Sequence, residues 1–426
     1  MLSFISYGIF IISSALLTVS YFILNTHYGL KYKPKIVKEL KYSISDVTAL
    51  IPVYNEELSL FEKVIKSVSE LGIKFIVIGD GVRQPYESLV KKYRGTYIYL
   101  KKRSGKRIAL SEGIKHVDTP LVLLLDSDTI ISKRSLEALL SHLDENVGGV
   151  GANIRMLKDG SKSSYYADFF ERMSELVNRA VNYFGSAIIL SGQCVLYRTS
   201  VIKPYLLSDE FKNPRILGRK LVLSDDRDLT EYIILKGYRA IKAIDAIVYT
   251  KPPSNIRIFA KQVTRWTRAN YLIFFKEIKE GTIGKRGLMY SFNVLYLNTL
   301  PILSILFLFF DIHSLFTSHL FQKLLEDKIF YDILTKGFQI EPIMIKINII
   351  INHFVHIRPT FLAIILITHL LPTLSIIPFT YALARLIGTE RLKTFALGTI
   401  ALVVQYFASF YALITFWEQS WSSRDS

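Results

Sequence analysis

Asp126-Ser127-Asp128 follows the apolar run Leu121–Leu125. Alternate side chains at a strand end can reach one hard cation, and Mg2+ or Mn2+ takes carboxylates together with phosphate oxygens. A solvated turn is the plainer reading of the same triplet. Lys101-Lys102-Arg103-Ser104-Gly105-Lys106-Arg107 opens a stretch of helical spacing. Its free backbone N–H groups and cations suit a phosphate, although a solvated basic loop accounts for it equally and the glycine spacing of a Walker loop is missing. Ser224-Asp225-Asp226-Arg227 precedes the helical pattern Asp228–Gly237. The acidic pair either caps that helix or offers a general base.

Gln262-Val263-Thr264-Arg265-Trp266 lies within Asn255–Ile278, a predicted helix that starts after Pro252-Pro253. Spacings of three and four put Gln262, Arg265 and Trp266 on one face. An arginine for phosphate beside a tryptophan for a sugar ring is a workable pair. Arg257, Lys261, Arg265 and Arg268 also form a basic stripe, which reads as a helix lying on a membrane surface. Ser191-Gly192-Gln193 precedes a predicted strand, Cys194–Arg198. The glycine there either makes a turn or lets a ligand approach the backbone. Cys194, the only cysteine, reads as packed rather than nucleophilic, and its solitude excludes an intramolecular disulfide framework and a cysteine-rich zinc site.

The elements that must position these groups alternate in type. Asp46–Ile51, Lys74–Ile78, Thr96–Leu100 and Leu121–Leu125 read as strands, with helical spacing over Leu58–Leu71 and Gly105–Val117. Strand, helix, strand at this interval predicts an α/β domain on a parallel sheet, with ligands beyond the carboxyl ends of the strands. Asn55-Glu56, Asp80, Asp126 and Asp128 all fall there.

Half of the 426 residues are hydrophobic, which excludes a disordered chain and points to a soluble part joined to a membrane part. Phe4–Asn25, Leu288–Phe310, Thr360–Ala384 and Thr394–Trp417 are uncharged and long enough to span a bilayer. The expected division is an N-terminal transmembrane helix over 1–30, a cytoplasmic domain over 45–285 ending in an interfacial helix, and a C-terminal transmembrane region over 287–417. That region has about three spans and a possible re-entrant segment at 340–357. Lys31–Lys41, Lys285-Arg286 and Arg385–Lys393 carry the basic residues that mark a cytoplasmic side. Four spans then leave both termini outside. The excess of 53 Lys and Arg over 36 Asp and Glu, a net +17, fits nucleic acid, anionic lipid or a phosphorylated substrate. Much of it sits beside the membrane or the proposed diphosphate site, so a nucleic-acid partner ranks last.

Taken together, Asp80, Asp126-Ser127-Asp128, Asp225-Asp226 and Gln262-Val263-Thr264-Arg265-Trp266 resemble the pattern of the membrane-embedded family 2 glycosyltransferases, which include hyaluronan, chitin and cellulose synthases. Ser224–Thr230, Gly237-Tyr238, Thr264-Arg265-Trp266 and Gly105-Lys106-Arg107 look most like hyaluronan synthase segments. Two features depart from those enzymes: fewer spans, and Ser191-Gly192-Gln193 where they carry Ser-Gly-Pro. The resemblance implies a GT-A-like cytoplasmic glycosyltransferase domain inserted between transmembrane helices, in the plasma membrane. It implies a UDP-sugar donor, a polysaccharide acceptor and Mg2+ or Mn2+. Tyr54, Glu56 and Asp80 would hold the nucleoside, Lys106 the diphosphate, and Asp126 and Asp128 the nucleotide and metal. Asp226 would be the general base. Gln262, Arg265 and Trp266, with Ser191 and Gly192, would line the acceptor and diphosphate site.

A processive synthase that also exports its product is the first function expected. A single-transfer enzyme acting on a lipid-linked acceptor is the second. A transporter or binding protein without catalysis would carry ionisable residues inside its spans, which here hold only His369.

Overall fold

The computed structural model describes residues 2–216, 218–220, 224–317, 366–388 and 390–418. The expected re-entrant segment 340–357 and the first residues of the Thr360–Ala384 span lie outside them. The chain divides into two compact units, Met1–Ile23 with Leu295–Phe379, and Leu24–Val294 with Thr380–Ser426.

The strands of the larger unit are β1 (Val47–Val53), β2 (Lys74–Asp80), β3 (Thr96–Leu100), β4 (Leu121–Leu125), β5 (Thr129–Ile130), β6 (Val147–Met156), β7 (Cys194–Arg198), β8 (Arg215–Ile216), β9 (Arg219–Lys220) and β10 (Arg239–Thr250). The α-helices among the described residues are α1 (Leu2–Lys31), α2 (Leu58–Ser69), α3 (Tyr86–Lys92), α4 (Lys106–Ile114), α5 (Lys133–Ser141), α6 (Lys162–Asn182), α7 (Thr199–Leu207), α8 (Asp209–Lys212), α9 (Asp225–Leu235), α10 (Ile256–Glu280), α11 (Leu288–Thr317), α12 (Leu371–Leu386) and α13 (Arg391–Thr415).

Eight strands form one sheet in the order β3-β2-β1-β4-β7-β6-β10-β5, and β8 and β9 pair separately. All five residues of β4 are buried, as a central strand requires. Pro52 is tolerated inside β1 because the β1–β4 ladder ends at Leu50, so its missing N–H removes no bond to β4. The expectation of a parallel sheet holds for β3-β2-β1-β4. Beyond β4 the sheet is mixed: β7 runs antiparallel to both β4 and β6, and β5 antiparallel to β10. The long helix α6 separates β6 from β7 in the chain, and the strand returns in the opposite direction. Apolar side chains cover both faces. Phe61, Val64 and Leu136 pack on one face; Leu110, Ile202 and Ile233 pack on the other.

Among the described residues, four helical stretches are long and apolar enough to cross a membrane: Ile9–Lys31, Leu288–Leu306, Leu366–Leu386 and Arg391–Thr415. Within the smaller unit Tyr21 stacks on Tyr296 at 4.3 Å, and the Tyr296 hydroxyl donates to Thr18 Oγ1 at 3.1 Å. Within the larger unit α13 packs against α6 and α10. Both of its ends are bonded there. Tyr165 of α6 donates to the Glu390 carboxylate at 2.9 Å, and Arg268 of α10 donates to Thr415 Oγ1 at 3.0 Å and to Glu418 Oε2 at 2.6 Å. The face turned to these helices carries small residues, Thr394, Gly398, Ala401, Ala408 and Ala412. A Cβ on Gly398 would meet the Phe169 ring at 2.5 Å, so this close approach requires glycine. The outer face presents Leu402, Val403, Tyr406, Phe407, Tyr411 and Ile414.

Candidate active site

The carboxyl ends of β1, β2 and β4 meet the amino end of α4, as expected from a parallel half-sheet. Both Asp80 oxygens accept backbone N–H groups from the basic loop, Ser104 at 2.6 Å and Gly105 at 2.8 Å. That pins the loop and sets the start of α4. Gly105, at φ 90, takes a conformation that L side chains rarely adopt. Arg107, the second residue of α4, is buried and paired with Asp228 of α9 at 2.9 Å, so this part of the basic run is no solvated loop. At the end of β1 the Arg103 guanidinium lies over the Tyr54 ring at 4.0 Å. The Tyr86 hydroxyl donates to the Glu56 carbonyl at 2.7 Å, and Ser127 Oγ donates to Glu56 Oε2 at 3.4 Å.

Lys106 is the hub. Its Nζ donates to Asp126 Oδ1 at 2.6 Å and lies 3.6 Å from Asp225 Oδ2. Asp126 and Asp225-Asp226 are far apart in sequence, and only the folded sheet brings them to one ammonium. The backbone closes the ring: the Asp126 N–H donates to the Gln193 carbonyl at 3.0 Å, and the Gly192 N–H donates to Asp226 Oδ2 at 3.2 Å. A Cβ at Gly192 would stand 3.2 Å from Asp226 Cβ and 3.3 Å from Lys106 Nζ. The glycine is therefore needed for close approach, by the acid and the lysine of the site itself. Ser191 is half-buried beside it.

The acidic pair lies inside the first turn of α9 and does not cap it. Ser224 holds the cap position, with φ 66 in the left-handed region that a serine rarely adopts. Burial and the neighbouring charge of Asp225 push the Asp226 carboxyl up to about 6, against the pull of Lys106 and two backbone N–H groups. Burial also works against a charged Asp225, but Lys106 and Arg107 outweigh it and hold that carboxyl below its ordinary value. Two adjacent carboxyls whose environments push them in opposite directions are how an acid–base assignment is made. Next to the pair, Arg227 donates to Asn270 Oδ1 at 2.8 Å and to the Tyr290 hydroxyl at 3.0 Å, and faces Glu277 at 3.4 Å. Sequence reading missed this link from α9 to α10 and α11.

Asp128 is buried, and its Oδ1 accepts from Thr129 at 3.2 Å and from Thr250 at 3.3 Å. The β5–β10 pairing puts Thr250 there. The chemistry of Asp126 and Asp128 fits a hard divalent cation. Among the described residues no group of three or more acidic, histidine or cysteine side chains is arranged to hold a metal ion. Such a cation would therefore take two carboxylates and draw its remaining oxygens from phosphates and water.

Gln262 and Trp266 of α10 line a small cavity together with Phe170, Glu171, Gln193, Thr250 and Lys251. The cavity adjoins the Asp126-Ser127-Asp128 motif through Gln193, bonded by the Asp126 N–H, and through Thr250, bonded to Asp128. One face of Trp266 is stacked on Phe170, with ring centroids 5.7 Å apart. Arg265 is close enough to Asp225, Asp226 and Asp126 for their charges to act on it, while burial lowers its pKa. The basic stripe of α10 is not a uniform membrane-facing surface, since Arg268 is buried against α13. Cys194 is buried, which raises its thiol pKa and fits a packing role.

Residues 48–206 match the family model described as Glycosyl transferase family 2. These residues form a family 2 glycosyl transferase domain. Among curated proteins the chain is 29% identical over 238 residues to an N-acetylglucosaminyltransferase of Azorhizobium caulinodans, covering 53% of this chain and 59% of that protein. It is 27% identical over 281 residues to a hyaluronan synthase of Streptococcus pyogenes serotype M1, covering 61% and 63%. The chain thus matches about three fifths of the length of these relatives. A solved mannosyltransferase of Pyrobaculum calidifontis, in complex with GDP-Man and Mn2+, superposes with a TM-score of 0.55 at 18% identity, over 76% of this chain and 93% of that one. The likeness establishes the GT-A-like fold of the domain.

A base acts in its charged form. With the Asp226 carboxyl raised to about 6, activity should fall as pH drops through about 6. Lys106 lowers that pKa, so Lys106→Met should move the acidic limb of the kcat/KM profile upward as well as slow the enzyme. A limb that stays fixed in Lys106→Met would contradict this coupling.

Proposed function

We propose that this chain is a membrane-bound inverting glycosyltransferase that moves a sugar from a UDP-sugar to the growing end of a β-linked polysaccharide and exports the product. One observation supports the reading above the others: Asp126 and Asp226 are bonded to adjacent residues, Gln193 and Gly192, and Gln193 lines the cavity that Trp266 also lines. Donor machinery and base therefore meet where an acceptor ring would lie.

In this reading Tyr54, Glu56 and Asp80 hold the nucleoside at the ends of β1 and β2. The acceptor hydroxyl attacks C1 of the donor sugar from the face opposite the diphosphate. The new C1–O bond forms as the old one to phosphate breaks, and UDP leaves with the electron pair. Asp226 takes the hydroxyl proton. Lys106 and Arg265 stabilise the charge growing on the leaving diphosphate. Mg2+ or Mn2+ held by Asp126 and Asp128 would supply further neutralisation of that charge. Displacement with one base and no carboxylate nucleophile inverts the anomeric centre, an analogy with inverting glycosidases. Trp266 and Gln262 bind the acceptor ring, and stacking on an aromatic face lets a chain slip by one unit.

The catalytic domain lies on the cytoplasmic side, as the Lys31–Lys41 cluster favours. The contacts of α13 call for one revision of the sequence-based topology. A 25-residue helix is about 37 Å long. Crossing the bilayer would carry its far end away from the domain, whereas both ends are bonded to the domain's helices. Small residues face the domain and large apolar ones face outward, as a helix lying in the membrane surface would have them. The C-terminus then stays on the cytoplasmic side.

A reporter fused after Ser426 should accordingly read as cytoplasmic; a reading on the outer side would restore a fourth crossing. For the reaction, purified protein with UDP-sugars should lose transfer in excess EDTA. Asp128→Asn should lower it by about a hundredfold or more without changing the melting temperature. Undiminished turnover in EDTA would contradict the metal role. A product of one sugar on a lipid, in place of a ladder of polymer lengths, would replace the processive reading with the single-transfer one.

A further inference from the structure

Glu171 enters the acceptor cavity from α6, facing Gln193, Gln262 and Trp266. Ala167, Phe170 and Glu171 are spaced by three and four residues, so one face of α6 forms this wall. The Glu171 carboxylate accepts no hydrogen bond and joins no ion pair among the described residues. The cations around it are engaged elsewhere. Arg172 donates to Asn153 Oδ1 at 2.9 Å and to the Ile154 carbonyl. Lys242 pairs with Glu175 at 3.3 Å. Lys251, on the cavity's opposite wall, pairs with Glu57 at 3.1 Å. Burial pushes the Glu171 carboxyl above its ordinary value; Arg172 and Lys242 pull against that shift, and Glu175 and Asp168 on the same helix add to it. The cavity, about 20 Å³ and so smaller than a sugar ring, would have to widen to take one, and its walls carry an acidic acceptor of hydrogen bonds, two amides able to donate and accept, and an aromatic face.

We propose that Glu171 sets the class of acceptor sugar, admitting a neutral or N-acetylated ring and excluding a uronate. The proposal rests on the glycosyltransferase reading above and deepens it. A ring carboxylate in this cavity would face the Glu171 carboxyl, while the nearby cations Arg172, Lys242 and Lys251 already hold partners of their own, and like-charge juxtaposition in a desolvated site is costly. Hydroxyl and acetamido groups instead find partners in Glu171, Gln193 and Gln262. Gln193 stands where the hyaluronan synthase pattern has proline, so the chain departs from that pattern at the same wall. An enzyme that alternates a uronate with another sugar must accept a uronate terminus at every second step. This cavity refuses that step, and the product is a polymer without uronate.

The test uses the purified full chain with UDP-N-acetylglucosamine as donor and two uncomplicated acceptors, p-nitrophenyl β-N-acetylglucosaminide and p-nitrophenyl β-glucuronide. The wild type should extend the first with a kcat/KM at least about tenfold above the second. Glu171→Gln should narrow that ratio and Glu171→Lys should narrow it further or reverse it, a readout that general loosening of α6 would not move in one direction. Equal use of both acceptors by the wild type, or an unchanged ratio in both variants, overturns the proposal while leaving glycosyl transfer intact. Transfer to neither acceptor from any of a panel of UDP-sugars contradicts the glycosyltransferase reading itself, and the proposal with it.

Discussion

Three carboxylates cannot share a half-buried site unless a cation stands among them, and here that cation is Lys106. Asp126, Asp225 and Asp226 repel one another, and each loses solvation on folding. The ammonium at 2.6 Å from Asp126 and 3.6 Å from Asp225 offsets that cost and, in return, is held charged by its acidic neighbours. Everything around it serves its position. Asp80 grips the two N–H groups that start α4, Arg107 ties α4 to α9 through Asp228, and Gly192 supplies the space into which Lys106 and Asp226 fit. The same arrangement leaves Asp226 the weaker acid of its pair, which is the condition a general base near neutrality needs.

Asp226 is also linked, through its neighbour, to the helices that follow the sheet. Arg227, adjacent to Asp226, reaches Asn270 on α10 and Tyr290 at the start of α11, around the fully buried Glu277. Breaking one partner of a buried ion pair is costly because it strands the other charge. Asp226, α10 and the first residues of α11 are thereby tied together within the larger unit. In the proposed reading such a link matters, because the acceptor hydroxyl would have to return to the same place after every addition.

Much of this was legible in the sequence where local pattern and tertiary role coincide. The run Leu121–Leu125 is a central strand because it is apolar throughout, and Asp126 and Asp128 follow it as expected. Asn255 caps α10 by accepting from the Ile258 N–H at 3.0 Å, close to where Pro252-Pro253 placed the helix start. Other parts were hidden because their polarity misleads. α6 carries Asp168, Arg172, Glu175 and Arg179, which reads as a solvated charged face; in the fold these side chains are buried and paired, and Glu171 among them faces the cavity. The antiparallel β7 was invisible because strand direction leaves no mark in five residues. α13 misleads in the opposite sense: hydropathy counts its outward Leu402, Val403 and Phe407 but cannot see that its small-residue face is matched to α6 and α10.

The central claim is a single displacement at C1 driven by one base, and the stereochemistry of the product tests it most directly. Purified protein given an α-linked UDP-sugar and a defined acceptor should yield a product whose new anomeric proton shows the large coupling of a β-linkage by NMR, from the first turnover onward. An α-linked product would mean two displacements or a different nucleophile, and would contradict the role assigned here to Asp226 and to the Lys106 cluster that holds it.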